Sequence, residues 1–148
     1  MFKNILVPTD GSKLALKGIK AGVRLARSLG ARVTGVYVVA RYLPPMYGEG
    51  AIYMPGLSAA QWKKNGTRAA KKALAAVEVE ARIAGAPFVT KIVYGALPWE
   101  GILRAARSGK GDAIVMASHG RGGLGGLFLG SETQHVLAHS RIPVLVVR

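Results

Sequence analysis

The sequence predicts a doubly wound α/β fold: a five-stranded parallel sheet with helices on both faces. Three observations carry that expectation. Short, solidly apolar segments alternate with longer ones in which apolar residues recur every three or four positions. The apolar segments are near-continuous runs, as in strands buried on both faces. Glycine-bearing turns follow the first and the fourth strand, at the carboxyl ends where such sheets hold ligands.

The first strand is Phe2–Pro8, a run around Ile5, Leu6 and Val7 that meets a proline. Thr9, Asp10, Gly11 and Ser12 supply turn and cap residues. From Ser12 to about Leu29, the stripe Ala15, Ile19, Val23, Ala26 and Leu29 lies opposite Lys13, Lys17, Lys20, Arg24 and Arg27, an amphipathic helix that Gly30 stops. Arg32–Ala40 is β-branched and forms the second strand. Arg41–Leu57 breaks the pattern with three prolines, three glycines and three tyrosines. Its length suits a lid, an interaction surface or a partly mobile segment better than an idle connection.

Ser58 and Gln61 form a capping box that opens a long helix to about Ala84. Pro87–Tyr94 is the third strand, ended by a turn at Gly95. Pro98 suits the first turn of a helix that runs to about Ser108. Asp112–Ser118 is the fourth strand. Ser131 and Gln134 form a second capping box, starting a short helix to about His139, and Ile142–Val147 is the fifth strand.

A length of 148 residues suits one domain, 1–148. Half the residues are apolar and 19% are charged, a balance that excludes wholesale disorder. The absence of cysteine excludes a disulfide framework, a thiolate zinc site and a cysteine nucleophile. No apolar run approaches the roughly 20 residues of a membrane span, and the N-terminal stretch is too short for a signal peptide's apolar core. No membrane association is expected, and a cytoplasmic location is. Lys and Arg number 21 against 7 Asp and Glu, a net charge of +14 that attracts polyanions. These cations are dispersed along two helical segments, and the ten aromatic residues do not alternate with them, which disfavours nucleic acid as the partner.

Ser118–Ser131 contains six glycines and ends at a helix N-terminus. Glycine lets backbone N–H groups close on an anion, and unpaired amides with the helix dipole favour negative charge, so a phosphate cradle is the chemistry this stretch suits. A mobile surface loop is the plainer alternative. Gly120–Gly125 spells G-x-G-x-x-G, but it follows the fourth strand and no acidic residue lies 20 positions on, so it is no dinucleotide fingerprint. A P-loop signature is absent.

The opening Lys3–Ser12, the fourth strand with its glycine loop and the closing Ser140–Val147 resemble the universal stress protein family. The resemblance covers essentially the whole chain and all five strands, with an expected strand order of 3-2-1-4-5. Nucleotide-binding members carry G-x2-G-x9-G-[ST]; here the spacing is kept as Ala117-x2-Gly120-x9-Gly130-Ser131, with alanine in place of the first glycine. A positive φ at Ala117 would cost about 1 kcal/mol or more, and a negative φ would not. The resemblance implies ATP or AMP, with or without magnesium. Pro8, Thr9 and Asp10 would line the adenosine side and the Val38 backbone would meet the adenine edge. Gly120, Arg121, Gly130, Ser131 and the Glu132 backbone would surround the phosphates, with His119 within reach of the nucleotide. On the residues alone, Asp10 reads equally as a turn or cap residue and His119 as an exposed loop residue.

The resemblance also implies a homodimer through the C-terminal strand and a regulatory stress-response role. The alternative is a dimeric interaction module of the same family that binds no nucleotide. No catalytic residue is expected, because no histidine is placed to activate a serine and the carboxylates are scattered; slow ATP hydrolysis is the most the site would support. His135 and His139 at i, i+4 could face one metal ion, but Glu132 is the only further ligand in view, and no metal site is expected. Trp62 and Trp99 read as packing residues.

Overall fold

The computed structural model describes residues 2–43, 58–119 and 129–148. Nine elements follow in order: β1 (Asn4–Pro8), α1 (Lys13–Leu29), β2 (Arg32–Ala40), α2 (Ala59–Ala84), β3 (Phe88–Ala96), α3 (Pro98–Ser108), β4 (Ala113–Ala117), α4 (Ser131–His139) and β5 (Val144–Val147). The sheet is parallel in the expected order, β3-β2-β1-β4-β5. Strand order reverses between β1 and β4, so the chain leaves their carboxyl ends in opposite directions and opens a crevice there.

Local chemistry fixes the helix ends. The Ser12 hydroxyl accepts the Ala15 N–H at 3.0 Å, and Gly30, at φ 64°, closes α1 by donating to Ala26 and Arg27 carbonyls. The Ser58–Gln61 capping box forms. At α3, Pro98 occupies the first turn and the Glu100 carboxylate takes the Leu97 N–H at 3.3 Å.

Two cores sandwich the sheet. On one face Ile19, Val23 and Ala26 of α1 and Val77 and Ala81 of α2 pack on Ile5, Val7, Val33 and Val115. On the other, Ile102, Leu103 and Ala106 of α3 and Val136 of α4 pack on Leu6, Val36, Ile114 and Met116. Helix α1 approaches unusually closely: a Cβ at Gly22 would lie 2.6 Å from Val7 Cγ2, and one at Gly18 would lie 2.9 Å from the Ala117 nitrogen.

Two local expectations need correction. The third strand does not stop at Tyr94. Gly95 adopts φ 71°, the pairing jumps from Val39–Tyr94 to Ala40–Ala96, and the strand resumes beyond this bulge. The second capping box does not form either. The Gly130 N–H is held by the Ser118 carbonyl at 2.8 Å, so the N-cap position falls on Gly130 and Ser131 becomes the first helical residue. Gln134 turns its amide to the Leu129 carbonyl instead, at 2.7 Å. No side chain therefore caps α4.

Candidate functional site

A cavity of about 410 Å³ opens at the carboxyl ends of β1, β2 and β4, within the ~300–1,000 Å³ range of small-molecule pockets. Nine of the residues expected from the sequence line it: Pro8, Thr9 and Asp10 after β1, Val38 on β2, Ala117 and His119 at the end of β4, and Gly130, Ser131 and Glu132 at the start of α4. The other two, Gly120 and Arg121, lie outside the described residues, as does most of the long segment after β2.

Each contribution follows from local backbone chemistry. The Thr9 N–H continues the ladder to the Val36 carbonyl at 2.9 Å, which holds the β1–α1 turn against β2. The turn is closed from within: Thr9 Oγ1 accepts the Gly11 N–H at 3.1 Å, and Asp10 Oδ1 accepts the Ser12 N–H at 2.9 Å. Gly11 sits at φ 79°, where a side chain would be strained. Asp10 thus has the turn role read from its sequence context, and it also borders the cavity.

Ala117 ends β4 and is 7% exposed, its surface facing the cavity. Among the described residues the only non-glycine with positive φ is Lys110, so the alanine in the motif's first position carries no backbone strain. Helix α4 is pinned to this strand end at two points. The Thr133 hydroxyl, buried, donates to the Ala117 carbonyl at 3.1 Å, and Gly130 donates to Ser118. Those bonds aim the uncapped N-terminus of α4 at the cavity, which is the arrangement that attracts an anion.

His119 is held through Nδ1, 2.9 Å from the Ser118 hydroxyl, while its Nε2 is buried without a hydrogen-bond partner among the described residues. The Glu132 carboxylate accepts the Trp99 N–H at 2.8 Å and so ties the first turn of α4 to that of α3. A further part of the wall was not foreseen: Val36 and Tyr37 on β2, Met116 on β4, and Pro98 and Ile102 on α3 make an apolar side to the pocket, and Ala15 and Thr133 complete it.

Elsewhere, His135 and His139 both stack on Trp99, with ring centroids 5.4 and 4.8 Å away, so this indole packs against the two imidazoles. Among the described residues, no group of three His, Asp or Glu side chains could hold a metal ion. No helix there is long and apolar enough to cross a membrane.

A sequence model of the universal stress protein family matches residues 1–148. A universal stress protein of Thermus aquaticus is 36% identical over 152 aligned positions, covering 100% of both chains. One from Methanocaldococcus jannaschii is 33% identical over 148 positions, covering 100% of this chain and 83% of that protein. The solved universal stress protein UspA of Lactobacillus plantarum superimposes with a TM-score of 0.77 at 26% identity, over 99% of this chain and 98% of that one. Two more distant structures share the fold. One is a universal stress protein in complex with cAMP (23% identical, TM-score 0.73, 99% and 97% covered), and the other comes from Archaeoglobus fulgidus in complex with dAMP (19% identical, TM-score 0.72, 100% and 98% covered). With the family's sequence pattern spanning all 148 residues and two members more than 30% identical along the whole chain, this chain belongs to the universal stress protein family.

Proposed function

We propose that the cavity binds an adenine nucleotide, ATP or AMP, and that the chain is a regulatory stress-response module rather than a turnover enzyme. One observation carries this reading. Residues from three separate segments, 8–10, 117–119 and 130–133, meet around one pocket that combines an apolar wall with an uncapped helix N-terminus. Such a pocket offers a flat aromatic base burial between Val38, Ile102 and Met116, and offers phosphates the amides that start α4. The cAMP and dAMP complexes of two structures with this fold support the same ligand class. Magnesium, where it accompanies ATP, would be held chiefly through the phosphates. A cytoplasmic location and a homodimer through β5 belong to the same proposal.

Calorimetry and thermal-shift measurements with ATP and AMP, each with and without magnesium, test it. The expected result is a saturable heat and a raised melting temperature. No heat and no shift at millimolar nucleotide would overturn it. Ala117→Gly adds a second arm. Because Ala117 carries no backbone strain, removing its methyl is expected to change ATP affinity by less than about threefold, within ~0.7 kcal/mol. A gain of tenfold or more would mean that the methyl occupies space the nucleotide needs, and would favour the non-binding dimeric module as the native state.

A further inference from the structure

We propose that the outer face of the α1–α2 layer docks on the phosphate backbone of duplex nucleic acid. The two basic segments are far apart in sequence, and folding joins them. Both helices pack on the same side of the sheet, through Ile19, Val23 and Val77 in one core, and Lys20 of α1 meets Glu80 of α2 at 3.8 Å. On α1, Lys13, Lys17, Lys20, Arg24 and Arg27 recur at steps of three and four residues, and all five are exposed. At 1.5 Å per residue they form a row about 20 Å long. Helix α2 contributes six more exposed cations, among them Lys64, Arg68 and Lys72.

Only two carboxylates stand on these helices, and both are engaged: Glu80 with Lys20, and Glu78 with Arg82 at 3.7 Å. Eleven of the chain's 21 basic residues thus share a layer with two of its seven acidic ones. Like charges at these helical spacings repel, so the arrangement costs stability until a polyanion neutralises it.

The surface chemistry selects a duplex. No large apolar side chain is exposed on α1, and on α2 the exposed Val79 and Ile83 lie past Lys72, toward the carboxyl end of the helix, whereas a helix that lies on a bilayer needs a continuous apolar face to insert. Single strands are held by stacked aromatic residues. Helix α1 has none, and the one on α2, Trp62, sits ahead of the row with its Nε1 bonded to the Ala40 carbonyl at 2.9 Å. Two packed helices lie roughly 8–10 Å apart, so the face is a rigid double row of cations, suited to the regularly spaced phosphates of a double helix.

Fluorescence anisotropy with a labelled duplex of arbitrary sequence, across roughly 50 to 200 mM NaCl, tests the proposal. Binding is expected to weaken steeply with salt and to be indifferent to sequence. The triple variant Lys17→Gln, Arg24→Gln, Lys72→Gln is expected to flatten the plot of log affinity against log salt by about 0.9 per residue removed. A control triple with the same net charge, Arg107→Gln, Arg141→Gln, Arg148→Gln, lies off this face and is expected to leave the slope unchanged. Three results would overturn it: no binding at 50 mM salt, equal weakening by both triples, or tighter binding to phosphatidylserine-containing vesicles than to the duplex. The measurement is made without nucleotide, so its outcome is separate from that of the cavity.

Discussion

Asp112 ties together the amino-terminal edge of the sheet. Its Oδ2 accepts the backbone N–H groups of Lys3 and Asn4, so the entry to β4 is bonded to the entry to β1. Asn4, buried, extends the tie: its Oδ1 accepts the Thr34 hydroxyl of β2 at 2.7 Å, and its Nδ2 donates to the Gly109 carbonyl at 2.8 Å. The Lys3 and Asn4 amides bond the charged carboxylate and hold its pKa below the ordinary Asp value. A depressed folded-state pKa contributes stability above the unfolded value, and that contribution disappears as pH falls through the folded one. Asp112→Asn is therefore expected to be less stable than the parent above about pH 5, with the gap narrowing below about pH 4. Urea titrations at several pH values measure it, and a gap that stays constant down to pH 3 would remove Asp112 from the acid response. None of this network was read from the sequence, where Asn4 and Asp112 stand 108 residues apart in two different strands and nothing local pairs them.

Among the elements, α1 shows what periodicity conveys and what it omits. Ala15, Ile19, Val23, Ala26 and Leu29 were legible as a stripe; the first four are buried and Leu29 is half-buried. Gly18 and Gly22 lie on the same buried face, yet glycine carries no hydropathic signal and reads as a gap. Their role appears only when the sheet is in place, because a methyl at Gly22 would meet Val7 Cγ2 at 2.6 Å and Val115 Cβ at 3.3 Å. Both valines are fully buried and have no space to yield. Gly22→Ala gains about 1 kcal/mol of helix propensity and loses ~1–3 kcal/mol to overpacking, so a net destabilisation of about 1 kcal/mol is expected. Chemical denaturation checks it, and a stabilised variant would show that the gap between helix and sheet opens without cost. The candidate site was legible for the same local reasons and failed where they do. Turn residues and glycine spacing marked Thr9, Asp10, Gly130 and Ser131. Val36, Ile102 and Met116 carried no local mark of the site, since facing a crevice instead of a neighbour is decided by how distant elements pack.

The whole sheet has two edges, and they are guarded differently. β3 carries Lys91, exposed, and the bulge at Gly95, both devices that discourage another strand from pairing. β5 is four uncharged residues with Leu145 49% exposed, and nothing in it opposes a second copy. A homodimer through β5 would satisfy its outer backbone groups by isologous pairing. It would also bring together two chains of net charge +14, whose repulsion salt relieves. Self-association is therefore expected to strengthen between low and physiological salt, opposite in sign to docking on a duplex through the α1–α2 face. Sedimentation across a salt series separates the two. Leu145→Pro, which removes a backbone donor that β5 turns toward β4 and so weakens the edge strand itself, is expected to yield monomer or aggregate, and Leu145→Lys, which sets like charges near the two-fold, to yield folded monomer by circular dichroism. A dimer that persists in both variants, or that dissociates as salt rises, would place the interface away from β5.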